Sequence, residues 1–147
     1  MLFRSFLGVN MQITPSGGSA YTPVGSTFSF DAGTSFETVE NFNSATGIEA
    51  IIHIDRNPSM TVSIAQDNYA SAALTYANIF ANIFAQTTHN VTFTLGSTNG
   101  NIATFTAPTA QLVDAQPRLN GGHRNIDLMY KVQGGSSAES EYSIVTT

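Results

Sequence analysis

After residue 27 apolar and polar residues alternate along most of the chain, the two-residue period of strands with one buried face. Phe28 and Phe30 share one side of a short strand, and Phe36 to Phe42 holds the next. The clearest strand is Ile48 to Asp55. There Ile48, Ala50, Ile52 and Ile54 point one way and Glu49, His53 and Asp55 the other, with Ile51 among them. Arg56-Asn57-Pro58 breaks that run, because proline has no N–H to give a ladder. Met60, Val62 and Ile64 then alternate with Thr61 and Ser63, and the two runs predict a hairpin with one core face and one wetter face.

The period then changes. From Asp67, a suitable N-cap, Ser71, Thr75, Asn78, Asn82 and Gln86 step by four, three, four and four along the chain. They draw a narrow polar stripe down a helix expected over about 68–85, and from Tyr69 to Ala85 every other position is Ala, Leu, Ile, Tyr or Phe. No charge interrupts it. An apolar arc this wide calls for cover on more than one side: the sheet supplies one, and another subunit is expected to supply the next. Tyr69, Tyr76, Phe80 and Phe84 are therefore the candidate interface or helix-packing residues. Such an aromatic stripe also suits a ligand pocket, although core or interface is the commoner use of the pattern.

Alternation returns with Val91, Phe93 and Leu95, then Asn99-Gly100 as a hairpin signal, then Ala103, Phe105 and Ala107. Ala110 to Ala115 predicts another short strand, and Arg118 to Gly122 a loop. Ile126, Leu128, Tyr130 and Val132 alternate cleanly with Asp127, Met129 and Lys131, and Tyr142 and Ile144 mark the last strand. Residues 1–26 lack periodicity and carry Pro15, Gly17, Gly18, Pro23 and Gly25, so an extended arm or long loop is expected there. The expected fold is mainly β: a sandwich or partly open barrel of about eight or nine strands with one flanking α-helix. With no linker, charge block or fixed-period repeat, residues 27–147 form one domain behind the arm.

Composition sharpens this picture. The 147 residues contain no Cys, which excludes disulfides, thiolate metal sites and cysteine nucleophiles. Only 10% are charged, while Thr, Ser and Asn supply 45 positions, so polarity is carried by uncharged groups. A net charge of −5 with five scattered cations argues against a nucleic-acid-binding face. The most apolar run, Tyr69 to Ala85, carries Thr75, Asn78 and Asn82 besides Ser71 and falls short of the ~20 apolar residues a membrane span needs. Residues 1–8 lack the charged, apolar, small-residue order of a signal peptide, so a protein made and kept without secretion is expected.

The sharpest enzymatic candidate is His53-x-Asp55 with His123 far downstream, the residue types of a two-His, one-carboxylate iron(II) triad. Nothing near His123 anchors a co-substrate, and the plainer reading places His53 and Asp55 on a wet or interfacial face. No nucleophile elbow, Walker A loop or Gly-x-Gly-x-x-Gly occurs, so no catalytic residue, metal or cofactor is expected.

The stretch from Phe36 through Gly47 to Pro58-Ser59 resembles the strand pair of tail tube proteins from long-tailed bacteriophages, where a strand ends in a similar Asp-Arg-x-Pro turn. Gly96 to Gly100, Ile102 to Pro108, Ala110-Gln111-Leu112, Gly121-Gly122 and Ile126 to Lys131 are similar to the distal half of those proteins. The resemblance covers roughly residues 27–147; residues 1–26 match poorly. It implies a subunit that closes into hexameric rings, stacked into a tube through which DNA leaves the capsid. Its implied partners are further copies of itself, a tape-measure protein, a tail terminator and tail-tip proteins. Its implied place is the virion tail, after assembly in the host cytoplasm. A conduit should repel phosphate rather than hold it, and Glu49 and Asp55, on the wet side of the best strand, are the expected lumen-facing acids. Rival readings are a tail terminator or injection-tube protein of related fold, and a small ligand- or carbohydrate-binding β-sandwich.

Overall fold

The computed structural model describes residues 9–43, 45–65, 76–98, 100–120, 122–134 and 141–147. Its described elements run β1 (Val9–Pro15), β2 (Gly25–Asp31), β3 (Thr34–Glu40), β4 (Ile48–Arg56), β5 (Ser59–Ala65), α1 (Tyr76–Phe84), β6 (Thr88–Leu95), β7 (Ala103–Asn120), β8 (His123–Val132) and β9 (Ser143–Thr146). Seven strands form one antiparallel sheet in the order β1-β6-β7-β8-β5-β2, with β9 on the free side of the first part of β7. The sheet curls into a half-barrel, so that Phe28 of β2 stacks on Phe93 of β6 at 4.4 Å although the two strands are not neighbours. The mainly β architecture, its nine strands and its helix agree with the expectation from sequence.

The concave side is the core. Met60, Val62 and Ile64 of β5 face it with Ile126, Leu128, Tyr130 and Val132 of β8, Ala110 and Leu112 of β7, Val91 of β6, and Met11 and Ile13 of β1. Each fully buried Val, Leu or Ile side chain contributes about 1.5–3 kcal/mol, so this half of the molecule stabilises itself. Phe30, Phe105 and Tyr142 close one side of the core as a ring cluster, with Phe30 and Phe105 4.7 Å from each other's centres and Tyr142 4.7 Å from Phe30.

Helix α1 lies over β7 and buries Ile79 completely, while Ile83 packs against the core one turn later. The chain leaves it by a Schellman-type cap: Gln86 N–H donates to Ile83 C=O and Thr87 N–H to Asn82 C=O, with Gln86 in the left-handed region at φ 53°. The helix expected from residue 68 is described from Tyr76 onward. Asp67, Tyr69, Ser71 and Thr75 lie outside the described residues, as does the Tyr76 side chain.

Three local expectations are corrected. First, the run Ile48–Asp55 does not pair with Met60–Ile64. Strand β4 pairs with β3, whereas β5 pairs with β2 and β8. Asn57-Pro58 does not turn the chain back; it bends one long ribbon whose inner half is β2–β5 and whose outer half is β3–β4. Second, Ala110–Ala115 and the expected loop at Arg118 belong to one continuous strand, β7. Pro108 is tolerated because the β6–β7 register slips between His89 and Val91, where a missing N–H breaks no ladder bond. Third, where an arm or loop was expected, Val9–Pro15 forms edge strand β1, burying Met11 and Ile13. Two buried residues in a seven-residue strand are too short a periodic signal to stand out among Pro15, Gly17 and Gly18.

Candidate assembly surfaces

Strands β3 and β4 stand away from the half-barrel as a separate two-stranded sheet, and among the described residues they pair with no other strand. Every residue of β4 is exposed, and so is every residue of β3 but Val39. The exposed set is apolar to an unusual degree: Ile51 is 68% accessible, Phe36 64%, Ile54 55%, and Phe42 beyond the strand is wholly so. A lone two-stranded ribbon is marginally stable in water, and a contiguous apolar surface of this kind marks a contact site. Its outer edges also offer unpaired backbone groups to another chain.

The register of this hairpin slips twice, leaving Glu49 and Ile54 as extra residues on β4. Strict alternation therefore holds only over the middle of the strand, around Ala50 to His53, and not along the whole run from Ile48 to Asp55. Phe36 sits opposite His53 with the rings edge-on at 5.6 Å, and Glu37 opposite Ile52. Glu49 accepts a hydrogen bond from Asn41 Nδ2 at 3.1 Å, tying the start of β4 to the end of β3. Asp55 Oδ1 accepts from the backbone N–H of Arg56 at 2.8 Å, at the hairpin root. Both acids are exposed and lie on the hairpin rather than on the seven-stranded sheet. With Glu37 and Glu40, they put four carboxylates on two strands whose single cation is Arg56.

The root itself is tightly built. Gly33 N–H donates to Asp31 Oδ1, and Asn57 N–H donates to Gly33 C=O. Gly33 has φ 56°, and a Cβ there would sit 2.1 Å from the Asn57 carbonyl oxygen, so only glycine fits the crossing. On the helix, Phe80 and Phe84 lie one position round from the buried Ile79–Ile83 edge, Phe80 partly exposed and Phe84 85% accessible. The core anchors are thus Ile79 and Ile83, which sequence reasoning did not single out among the aromatic residues. Their spacing of four, beside the Asn78–Asn82 stripe, was the available signal.

The other candidate chemistry does not assemble. His123 opens β8 opposite Asn120, whereas the hairpin root abuts the far end of β8, where Lys131 pairs with Ser59. His53 and Asp55 are therefore at the opposite end of the barrel from His123, and no group of three metal-ligating residues occurs among the described residues. A second cluster escaped the sequence reading altogether. His89 is fully buried on β6, its Nδ1 3.2 Å from the Tyr130 hydroxyl, with no partner for Nε2 among the described residues. Burial lowers the His89 pKa to about 4 and raises that of Tyr130, so the pair is neutral and structural. Arg118 Nε meets the nearly buried Asp127 carboxylate at 2.7 Å on the outer face of β7 and β8. Among the described residues no helix is long and apolar enough to cross a membrane.

No protein-family model matches the chain, and no characterised protein matches it by sequence. Several solved structures share its fold. A chain of the anti-feeding prophage baseplate, in a 6-fold symmetrised reconstruction, superposes with a TM-score of 0.59 at 14% identity, over 99% of this chain and 97% of that one. A chain from the tail of an empty gene transfer agent particle with C6 symmetry gives 0.58 at 12% identity, over 95% of each. The anti-feeding prophage tube-terminating cap gives 0.55 at 13% identity, over 100% of this chain and 93% of that one. At these identities the likeness is one of fold, and it spans essentially the whole length of each chain: the half-barrel with its flanking helix is the fold of components of tail-like assemblies.

Proposed function

We propose that the protein is a structural subunit of a phage-type tail, whose copies close into rings, hexameric by analogy with the 6-fold neighbours, and stack into a tube. The observation that carries this reading is the β3–β4 hairpin, exposed on both sides with Phe36, Phe42, Ile51, Ile52 and Ile54 in the open. Apolar surface on two opposite faces suits a subunit flanked by copies on both sides, in heterologous contacts that do not close between two molecules. Phe84 extends the same logic to the helix, as a ring left open beside a core-anchored edge.

On this reading the partners are further copies, a tape-measure protein within the tube, and terminator and tip proteins at its ends. Glu49 and Asp55 are placed towards the lumen, where DNA passes unbound past an acidic wall, and the chain acts in the virion without catalysis or cofactor. The test is assembly. Purified protein at high concentration is expected to give rings or filaments by light scattering and negative-stain microscopy. Ile52→Glu, at an exposed position, is expected to leave melting unchanged and to prevent stacking. A parent protein that stays monomeric, or an Ile52→Glu variant that assembles like the parent, overturns the reading.

A further inference from the structure

The hairpin has only two covalent connections to the barrel, through Ala32-Gly33 and Asn57-Pro58, yet a third tie reaches it from the far end of the chain. Arg56, the last residue of β4, places Nε 2.9 Å from Glu141 Oε2 and its guanidinium 4.9 Å over the ring of Tyr142. That ring is itself fixed: it packs edge-on against Phe30 at 4.7 Å and stacks on Phe105 at 6.0 Å. The residues that follow are sewn to the barrel, Ser143–Thr146 along β7 and Thr147 by paired backbone bonds with Ile102. A planar, always-charged guanidinium can pair with a carboxylate while its face covers an aromatic ring, and the Arg56–Glu141 contact is such a charge pair, since Glu141 Oε2 accepts no hydrogen bond among the described residues. The acidic and aromatic halves of this clamp therefore belong to the barrel, and the cationic half belongs to the hairpin.

We propose that the Arg56–Glu141–Tyr142 clamp fixes the direction in which the hairpin leaves the barrel, making Arg56 a positioning residue for the docking of one copy on the next. The proposal rests on the assembly reading above for its purpose, but its geometry is testable on a single molecule. Among the described residues the other hydrogen bonds at the root are local: Gly33 N–H to Asp31 Oδ1 and Asn57 N–H to Gly33 C=O within the ribbon, and Val132 N–H to the Pro58 carbonyl just beyond it. A ribbon held at one narrow waist swings; the clamp adds a point of attachment on the β4 side. It also couples the C-terminal segment to the assembly surface, so that release of Glu141 and Tyr142 frees the hairpin without unfolding the barrel.

Because the chain has no cysteine, Asn43→Cys beyond β3 and Gln12→Cys on β1 give a unique spin-label pair, measured by pulsed dipolar spectroscopy after dilution with unlabelled protein. The parent is expected to show one narrow distance. Arg56→Met is expected to broaden it at least twofold with an unchanged thermal melt, and to slow assembly at least tenfold; Arg56→Lys is expected to be intermediate. Glu141→Gln, which keeps the side-chain shape, is the second variant should Arg56→Met fail to fold, and broadening is expected there too. An unchanged distance distribution in a folded variant overturns the proposal. Broadening with parent-like assembly overturns the positioning role and leaves the tube reading intact. Failure of the parent to assemble overturns both that reading and the role assigned to Arg56.

Discussion

His89 and Gly33 each do work that can be isolated by a single substitution. His89 is buried and neutral, with a native pKa of about 4 against an ordinary value near 6.5. The unfolded chain takes up the proton first as pH falls, so the stability His89 allows is complete above about pH 6.5. It is lost progressively down to pH 4, by about 3 kcal/mol. Urea midpoints at pH 7 and pH 4.5 should therefore differ more in the parent than in His89→Leu, whose remaining pH dependence belongs to carboxylates such as Asp127 in its pair with Arg118. Gly33 acts through backbone geometry. Gly33→Ala places a Cβ against the Asn57 carbonyl in a left-handed conformation, at a cost of about 2 kcal/mol or more, concentrated at the hairpin root. Faster amide exchange in β3 and β4 with unchanged exchange in β8 is the expected signature. Neither role was readable beforehand: His89 is one polar letter in an alternating strand, and Gly33 resembles any other turn glycine until its crossing partner is known.

At the scale of elements, the helix separates what the fold needs from what a neighbour needs. Ile79→Ala removes a fully buried side chain and should cost about 2–4 kcal/mol of monomer stability. Phe84→Ala removes a ring that is 85% exposed and should change the melt by less than about 0.5 kcal/mol while weakening association. A buried-type penalty for Phe84→Ala in dilute monomer would refute this division. The periodicity of β6, β8 and the first part of β7 was legible because each strand sets a period-two face against its own core: Val91, Ala107, Leu128 and Tyr130 are all buried. The partner of β4 was not legible for a physical reason. Ile48, Ala50, Ile52 and Ile54 would read the same whether the surface that covers them is in the same chain or in another, since burial on assembly and burial on folding select the same residues.

Over the whole molecule, a self-sufficient half-barrel and a dependent hairpin are joined at one waist. Because β3 and β4 pair with each other and with no other strand among the described residues, replacing residues 34–56 by a short turn should leave a folded barrel with its cooperative melt. The same variant should not stack. Loss of folding on that excision would mean that the hairpin is integral to the core. The overall class, mainly β with a flanking helix, was legible from composition and turn spacing, whereas the division of the ribbon into an inner and an outer half depended on where Gly33 and Asn57-Pro58 meet in space. The bent ribbon also has a mechanical consequence. Since β4 continues directly into β5, and β5 lies between β2 and β8, a pull on the hairpin along its axis travels straight down a strand flanked on both sides. The cross-strand bonds run perpendicular to that pull, so they resist it together as a shear joint instead of opening one at a time like a zip. A shaft built from such subunits would carry axial tension through continuous backbone, and would be weakest at the seams between molecules rather than within them.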